Sequence, residues 1–255
     1  MINDLSFRDV LCSLLDFFLP RKCLVCGEIL TLREKHVCAG CLADMPRTFY
    51  SKMPRNWMAD RLNDLIQRDL DVKSTSGSQD AVPYSYATAL FFYRASTGYR
   101  NITKSLKYHG DLAAGRYFAS LLAKDMAQSD LYADVDTVIP VPLHWTRRWS
   151  RGYNQAEVIG RELAKVLGAE VRTDVLKRKR RTRTQTKLSI ERKAANVSGA
   201  FALVKGDSLV GSSHILLVDD VFTTGATVHA CYEVIREIAH PPVKISVATL
   251  ACVGE

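Results

Sequence analysis

Residues 215–227 read I-L-L-V-D-D-V-F-T-T-G-A-T, and they decide the fold. Residues 215–218 are a short run apolar on both faces, the pattern of a central strand in a parallel sheet covered by helices on each side. The strand ends in two carboxylates, Asp219 and Asp220. A turn rich in Thr and Gly follows and opens into a helix expected over about 225–239. The first N–H groups of a helix lack intrahelical partners and favour anions. With the hydroxyls of Thr223, Thr224 and Thr227 and the backbone of Gly225 and Ala226, they form an expected cradle for a phosphate dianion. Gly225 lets the backbone approach that phosphate with no Cβ in the way. The two acids cannot bind phosphate and need another task, which is to accept hydrogen bonds from vicinal hydroxyls of an attached sugar. Acids beside amides describe a ribose 5-phosphate site. The stretch has neither the GK[ST] lysine of a P-loop nor the glycine spacing of a dinucleotide fold.

On either side of this stretch the chain alternates short apolar strands with amphipathic helices. Strands are expected over 87–93, 137–141 and 243–250, and helices over 97–108, 112–128 and 154–167. The last of these carries Ala156, Ile159, Leu163, Val166 and Leu167 at helical spacing. Such an order predicts an α/β fold, a parallel sheet flanked by helices with right-handed crossovers. Ligands of these sheets bind beyond the carboxyl ends of the strands.

The N-terminal part differs in kind. Residues 5–19 read as an amphipathic helix leading to Cys23-x-x-Cys26, eleven residues, and Cys38-x-x-Cys41. Two such turns close a tetrahedron of thiolates around Zn²⁺, a structural ribbon with no open coordination position. Two disulfides are the alternative, disfavoured in a reducing compartment. His36 lies inside the knuckle and reads as a packed or solvent-facing residue rather than a ligand. Cys12, Cys231 and Cys252 sit in apolar surroundings as packing residues. Residues 56–70 have mixed helical periodicity, and 72–80 (VKSTSGSQD) form a polar loop and boundary. The expected organisation is helix plus ribbon over 1–50, a connector over 51–83 and a main domain over 84–255.

In a chain of 255 residues, 47% hydrophobic and 24% charged, there is material for a sizeable core, which excludes a fully disordered chain. No repeat period is visible, and no apolar run approaches the length of a membrane span. Residues 10–19 are too short, contain Asp16 and lack signal-peptide flanks, so a cytoplasmic protein without membrane insertion is expected. The net charge of +8 is concentrated in residues 177–193, where nine Lys/Arg face one acid, Glu191. Such a segment suits phosphate groups of a metabolite, pyrophosphate or nucleic acid, or is a solvated basic loop. Mutual repulsion of these charges predicts mobility without an anionic ligand.

Hydrophobic residues, two acids, two residues and T-T-G-x-T resemble the phosphoribosyl pyrophosphate motif of the phosphoribosyltransferases. The resemblance implies a type I phosphoribosyltransferase-like sheet that binds phosphoribosyl pyrophosphate with Mg²⁺. Other segments narrow it: VIPVPLHWTRRWSRGYNQ over 138–155, LKYHGD over 106–111, RTRTQ over 181–185 and RKAANVSGAF over 192–201. With the four-cysteine ribbon, this ordered set resembles the ComF family of competence proteins and their GntX-type relatives. By that resemblance residues 140–149 take the place of the pyrophosphate loop, and the basic stretch matches a loop that covers the bound substrate. Asp219, Asp220, Arg181 and Arg183 would then be catalytic. Thr223, Thr224, Gly225, Ala226, Thr227, Arg147, Arg148 and Arg151 would hold the ligand, with Lys187 as a further loop cation. For residues 151–155, helix capping by Asn154 is an alternative role. The family implies DNA uptake, with single-stranded DNA and a DNA-translocating helicase as partners. Three activities stay open: phosphoribosyl transfer to an unknown acceptor, a DNA-binding adaptor, and a ligand sensor without turnover. Trp145, Trp149 and Tyr153 interleave with Arg147, Arg148 and Arg151, as base stacking requires. A packed helix start accounts for them equally well.

Overall fold

A computed structural model describes residues 20–73, 82–179 and 199–254. The expected helix at 5–19, Cys12, and Arg181, Arg183 and Lys187 of the basic segment lie outside the described residues. Seven strands form two sheets among them: β1 (Ala87–Phe92), β2 (Thr137–Pro140), β3 (Glu170–Val171), β4 (Leu176–Arg178), β5 (Phe201–Leu203), β6 (His214–Phe222) and β7 (Lys244–Cys252). The main sheet has the order β1-β7-β6-β2-β3, and every pairing in it is parallel. β4 and β5 pair antiparallel as a separate two-stranded sheet.

The apolar run at 215–218 occupies the centre of the main sheet because neither of its faces tolerates water. Leu216 and Val218 pack into one buried cluster, and Ile215 and Leu217 into the other, the two-residue alternation of a strand. The first cluster is closed by α3 (Arg100–Tyr108), α4 (Leu112–Met126) and α6 (Gln155–Leu167), through Ile102, Leu106, Phe118, Leu122, Ile159 and Leu163. The second is closed by α2 (Trp57–Lys73) and α7 (Ala226–Arg236), through Met58, Leu62, Val228 and Ile235. Two short helices complete the described set: α1 (Ala39–Ala43) and α5 (Trp145–Arg151).

Several boundaries differ from the sequence reading. β6 does not stop at Val218 but runs through both acids to Phe222, because β7 continues beside it and pairs Asp219 with Thr249 and Phe222 with Cys252. β2 ends at Pro140, so the acids have a strand neighbour on one side. α2 takes in Val72 and Lys73, the first two residues of the expected polar loop, and α7 ends at Arg236. Asn56 starts α2 by accepting the Ala59 N–H at 3.0 Å while its amide donates to the carbonyl of Ala87 on β1. That second bond ties the helix start to the sheet edge.

The ribbon is packed on this body. Cys23, Leu30, Val37 and Met45 are buried in the same cluster as Phe91, Ile102 and Leu106. Asn101 donates to the carbonyl of Leu24 at 3.1 Å, and the Tyr99 hydroxyl donates to that of Cys41 at 2.9 Å. A Cβ at Gly98 would lie 2.0 Å from the Val25 carbonyl oxygen, so only glycine permits this approach. Among the described residues no helix is long and apolar enough to cross a membrane.

Candidate functional site

The four thiols of Cys23, Cys26, Cys38 and Cys41 lie within 4.8 Å of one another and are unbridged. Cys26 and Cys38 sulfurs are 3.8 Å apart, the edge of a sulfur tetrahedron with Zn–S bonds of about 2.3 Å. The donor set therefore fits a structural zinc ion. Gly27, at φ +82°, turns the chain directly after the second ligand. Cys38 caps α1 by accepting the Cys41 N–H. Burial alone would raise the Cys23 thiol, but backbone N–H groups, including those of Cys38 and Val25 at 3.4 Å, draw it down to about 6. Zinc takes the thiolate form, which Cys23 favours, whereas the Cys26 and Cys41 thiols are raised, Cys41 chiefly by burial. His36 lies outside the cluster: its ring is 5.5 Å from that of Tyr117, with Nδ1 3.8 Å from Asp111.

At the carboxyl end of β6, Asp219 and Asp220 are both half-buried rather than exposed. The Asp220 N–H donates to Oδ1 of Asp219 at 2.8 Å. Burial, followed by the neighbouring charge of Asp220, pushes the Asp219 carboxyl up to about 7, against the pull of Lys107 and Arg178. Asp220 makes an ion pair with Lys107 of α3, Nζ to Oδ2 2.9 Å. Burial works to lower the Lys107 ammonium, but Asp220 and then Asp219 hold it above its ordinary value. Lys107 was not singled out from sequence. Its signal is one lysine within LKYHGD, and no local pattern links it to acids so distant in the chain.

Gly225 caps α7 in the left-handed conformation, φ +81°. A Cβ there would meet the Phe222 ring at 2.9 Å and Leu65 at 3.1 Å. The glycine thus answers to the protein side of the turn, in addition to the ligand approach expected from sequence. Phe222 is itself held edge-on by Trp57 of α2, with ring centroids 6.0 Å apart. Thr223 is exposed, and Thr224, Ala226 and Thr227 are partly exposed around the open end of α7, which has no side-chain cap. Free N–H groups, hydroxyls and no acid in the first helical turn suit an anion.

The cations fall into two sets. Arg178, at the end of β4, lies over the Phe201 ring at 5.2 Å. Burial and the charge of Arg147 lower Arg178, while Asp219 opposes them, so the three groups share one electrostatic neighbourhood. The other two predicted arginines have different company. Arg148 is 3.9 Å from Glu157, and Arg151 lies over the Tyr108 ring at 5.5 Å. Asn154 caps α6 by accepting the Ala156 N–H at 3.2 Å, and Gly152 ends α5 at φ +78°. The Lys179 N–H donates to the carbonyl of Ala200 at 2.7 Å, so the described residues on the two sides of 180–198 meet beside Arg178.

The fold and site define a protein with a four-cysteine zinc ribbon fixed to a parallel α/β body, whose central strand ends in an acid pair and an open helix start. A family described as "Double zinc ribbon domain" matches residues 14–52; the four cysteines in that stretch suffice for one tetrahedral ion. Competence protein F of Haemophilus influenzae is 29% identical over 147 residues, 56% of this chain and 64% of that protein. DNA utilization protein YhgH of Escherichia coli strain K12 is 37% identical over 93 residues, 36% of this chain and 40% of that protein. Both alignments span less than two thirds of the relative. Competence protein ComFC of Streptococcus pneumoniae is 27% identical over 238 residues, 88% of this chain and 97% of that protein. The chain is thus similar to competence and DNA utilization proteins, along nearly its whole length in the case of ComFC.

Proposed function

We propose that the protein binds phosphoribosyl pyrophosphate with Mg²⁺ at residues 219–227 and serves DNA uptake or processing. The observation that carries the reading is the half-buried pair Asp219–Asp220 shortly ahead of a helix start with no side-chain cap. One part accepts hydrogen bonds from ribose hydroxyls, and the other donates to the 5-phosphate. Displacement at the anomeric carbon breaks its bond to the diphosphate oxygen, and the pair of electrons leaves with pyrophosphate. Arg147 and Arg178 near Asp219, with Arg181 and Arg183 of the basic segment, supply positive charge for that leaving group. Bound Mg²⁺ would neutralise part of the diphosphate charge, held by the hard oxygens of the diphosphate itself. The incoming nucleophile is the unassigned partner of this reaction.

The names of the relatives support the DNA part of the reading. Single-stranded DNA and a DNA-translocating helicase are the partners it calls for, in a reducing cytoplasmic setting that keeps the thiols available to zinc. The division into 1–50, 51–83 and 84–255 belongs to the same proposal. Titration calorimetry with phosphoribosyl pyrophosphate and Mg²⁺ tests the site. We expect wild type to bind and Asp219→Ala/Asp220→Ala to lose most of the affinity while staying folded; equal affinity would refute the assignment.

A further inference from the structure

The aromatic and basic residues of α5 do not share one fate. Tyr153 is used by the fold, since its hydroxyl donates to the carbonyl of Leu106 and its ring packs on the first core cluster. Trp145 and Trp149 are 67% and 87% exposed, and Tyr108, across from Arg151, is 70% exposed. Large apolar rings left in water on a short helix are contrary to their burial tendency and mark an interaction surface. The two tryptophans are four residues apart and so stand on one face, about one helical turn from each other. They border a surface cavity of about 560 Å³ together with Arg148 and Gly152.

We propose that this face, Trp145 and Trp149 with Tyr108 alongside, is a stacking platform for the bases of single-stranded DNA; the assignment rests on the DNA role proposed above. Charge complementarity selects the occupant. Arg147, Arg148 and Arg151 alternate with the tryptophans along α5; Arg148 is 3.9 Å from Glu157, and Arg151 lies over the Tyr108 ring. A protein partner's apolar segment would use the rings but not three arginines. Duplex DNA would use the arginines but keeps its base faces stacked on one another. An unpaired strand offers both phosphates and open base faces, and rings set among cations are how such strands are held without regard to sequence. The platform adjoins the acid pair: Tyr108 follows Lys107, the partner of Asp220, and Arg151 lies over the Tyr108 ring.

The test is fluorescence anisotropy of a labelled oligodeoxythymidylate against the full-length zinc-bound protein. Stacking contributes about 1–3 kcal/mol per base, so Trp149→Ala should weaken binding roughly fivefold to a hundredfold, and Trp145→Ala/Trp149→Ala further. Trp149→Phe should retain most of the affinity. Trp149→Leu, which keeps apolar bulk without a ring, should behave as the alanine variant and guards against a folding artefact. Thermal unfolding of each variant should match wild type, because both tryptophans are exposed. Undiminished binding by the double alanine variant or by the leucine variant would overturn the platform and leave the DNA role standing. A wild type that binds no single strand would overturn both, whereas the calorimetric test of the phosphoribosyl site is independent of either result.

Discussion

Lys107 Nζ lies 2.9 Å from Oδ2 of Asp220, joining the helix on which the zinc ribbon rests to the strand end that carries the candidate site. The pair is half-buried, and Asp219 adds a second negative charge beside it. Removing the cation would leave two neighbouring carboxylates with less compensation. Lys107→Met is therefore expected to destabilise the fold by about 1–3 kcal/mol, below the range for a fully buried pair. Asp220→Asn in that background should recover part of the loss. Urea unfolding of both single variants and the double variant measures the coupling, and additive effects would show that the pair contributes nothing.

Asp219 governs a pH dependence whose sign follows from its burial. Its carboxyl is raised to about 7 in the folded protein, against about 3.9 in an unfolded chain. The native state therefore holds this proton more tightly, and the resulting stability is fully present below about pH 4. It is lost as pH rises through about 7. Relative to Asp219→Asn, wild type should become progressively less stable across that window and level off above it. Denaturation curves of the two proteins at several pH values give the difference directly. A constant difference would mean that the acid is not raised.

Gly225→Ala combines a positive φ with a Cβ 2.9 Å from the Phe222 ring. The left-handed conformation alone costs a residue with a Cβ about 1–2 kcal/mol, and the contact with a ring pinned by Trp57 adds to it. We expect a loss of about 2–3 kcal/mol, or roughly 5–10 °C in the unfolding midpoint for a chain of this size. Differential scanning calorimetry checks this. An unchanged midpoint would mean the turn re-forms around the new side chain.

Zinc removal should be felt beyond the ribbon. Cys23, Leu30 and Val37 are buried with Ile102 and Leu106 of α3, the helix that carries Lys107. Metal analysis is expected to find one zinc ion per chain. Chelation, or Cys38→Ser, should lower the thermal midpoint of the whole protein and shift the nuclear magnetic resonance signals of α3. Loss of zinc that leaves both unchanged would show the ribbon to be energetically separate.

Local pattern was sufficient for the α/β class, the central strand, the start of α6 and the cysteine set. Each of these is encoded by neighbours in the chain: two-residue and 3.6-residue periodicities, Asn154 before a helix, and paired C-x-x-C turns. The acids and the glycine of 215–227 were legible for the same reason, since strand, turn and helix start are contiguous. Other features depend on residues brought together from distant segments. The length of β6 past Val218 came from its neighbour β7, and the need for glycine at 225 came partly from Leu65 of α2. Which acid a lysine meets, and whether an aromatic ring is covered, are settled by packing between elements: Lys107 reaches Asp220, Tyr153 is partly buried against the core and Trp149 stays in water. Such choices depend on three-dimensional proximity and desolvation, which no window of sequence contains.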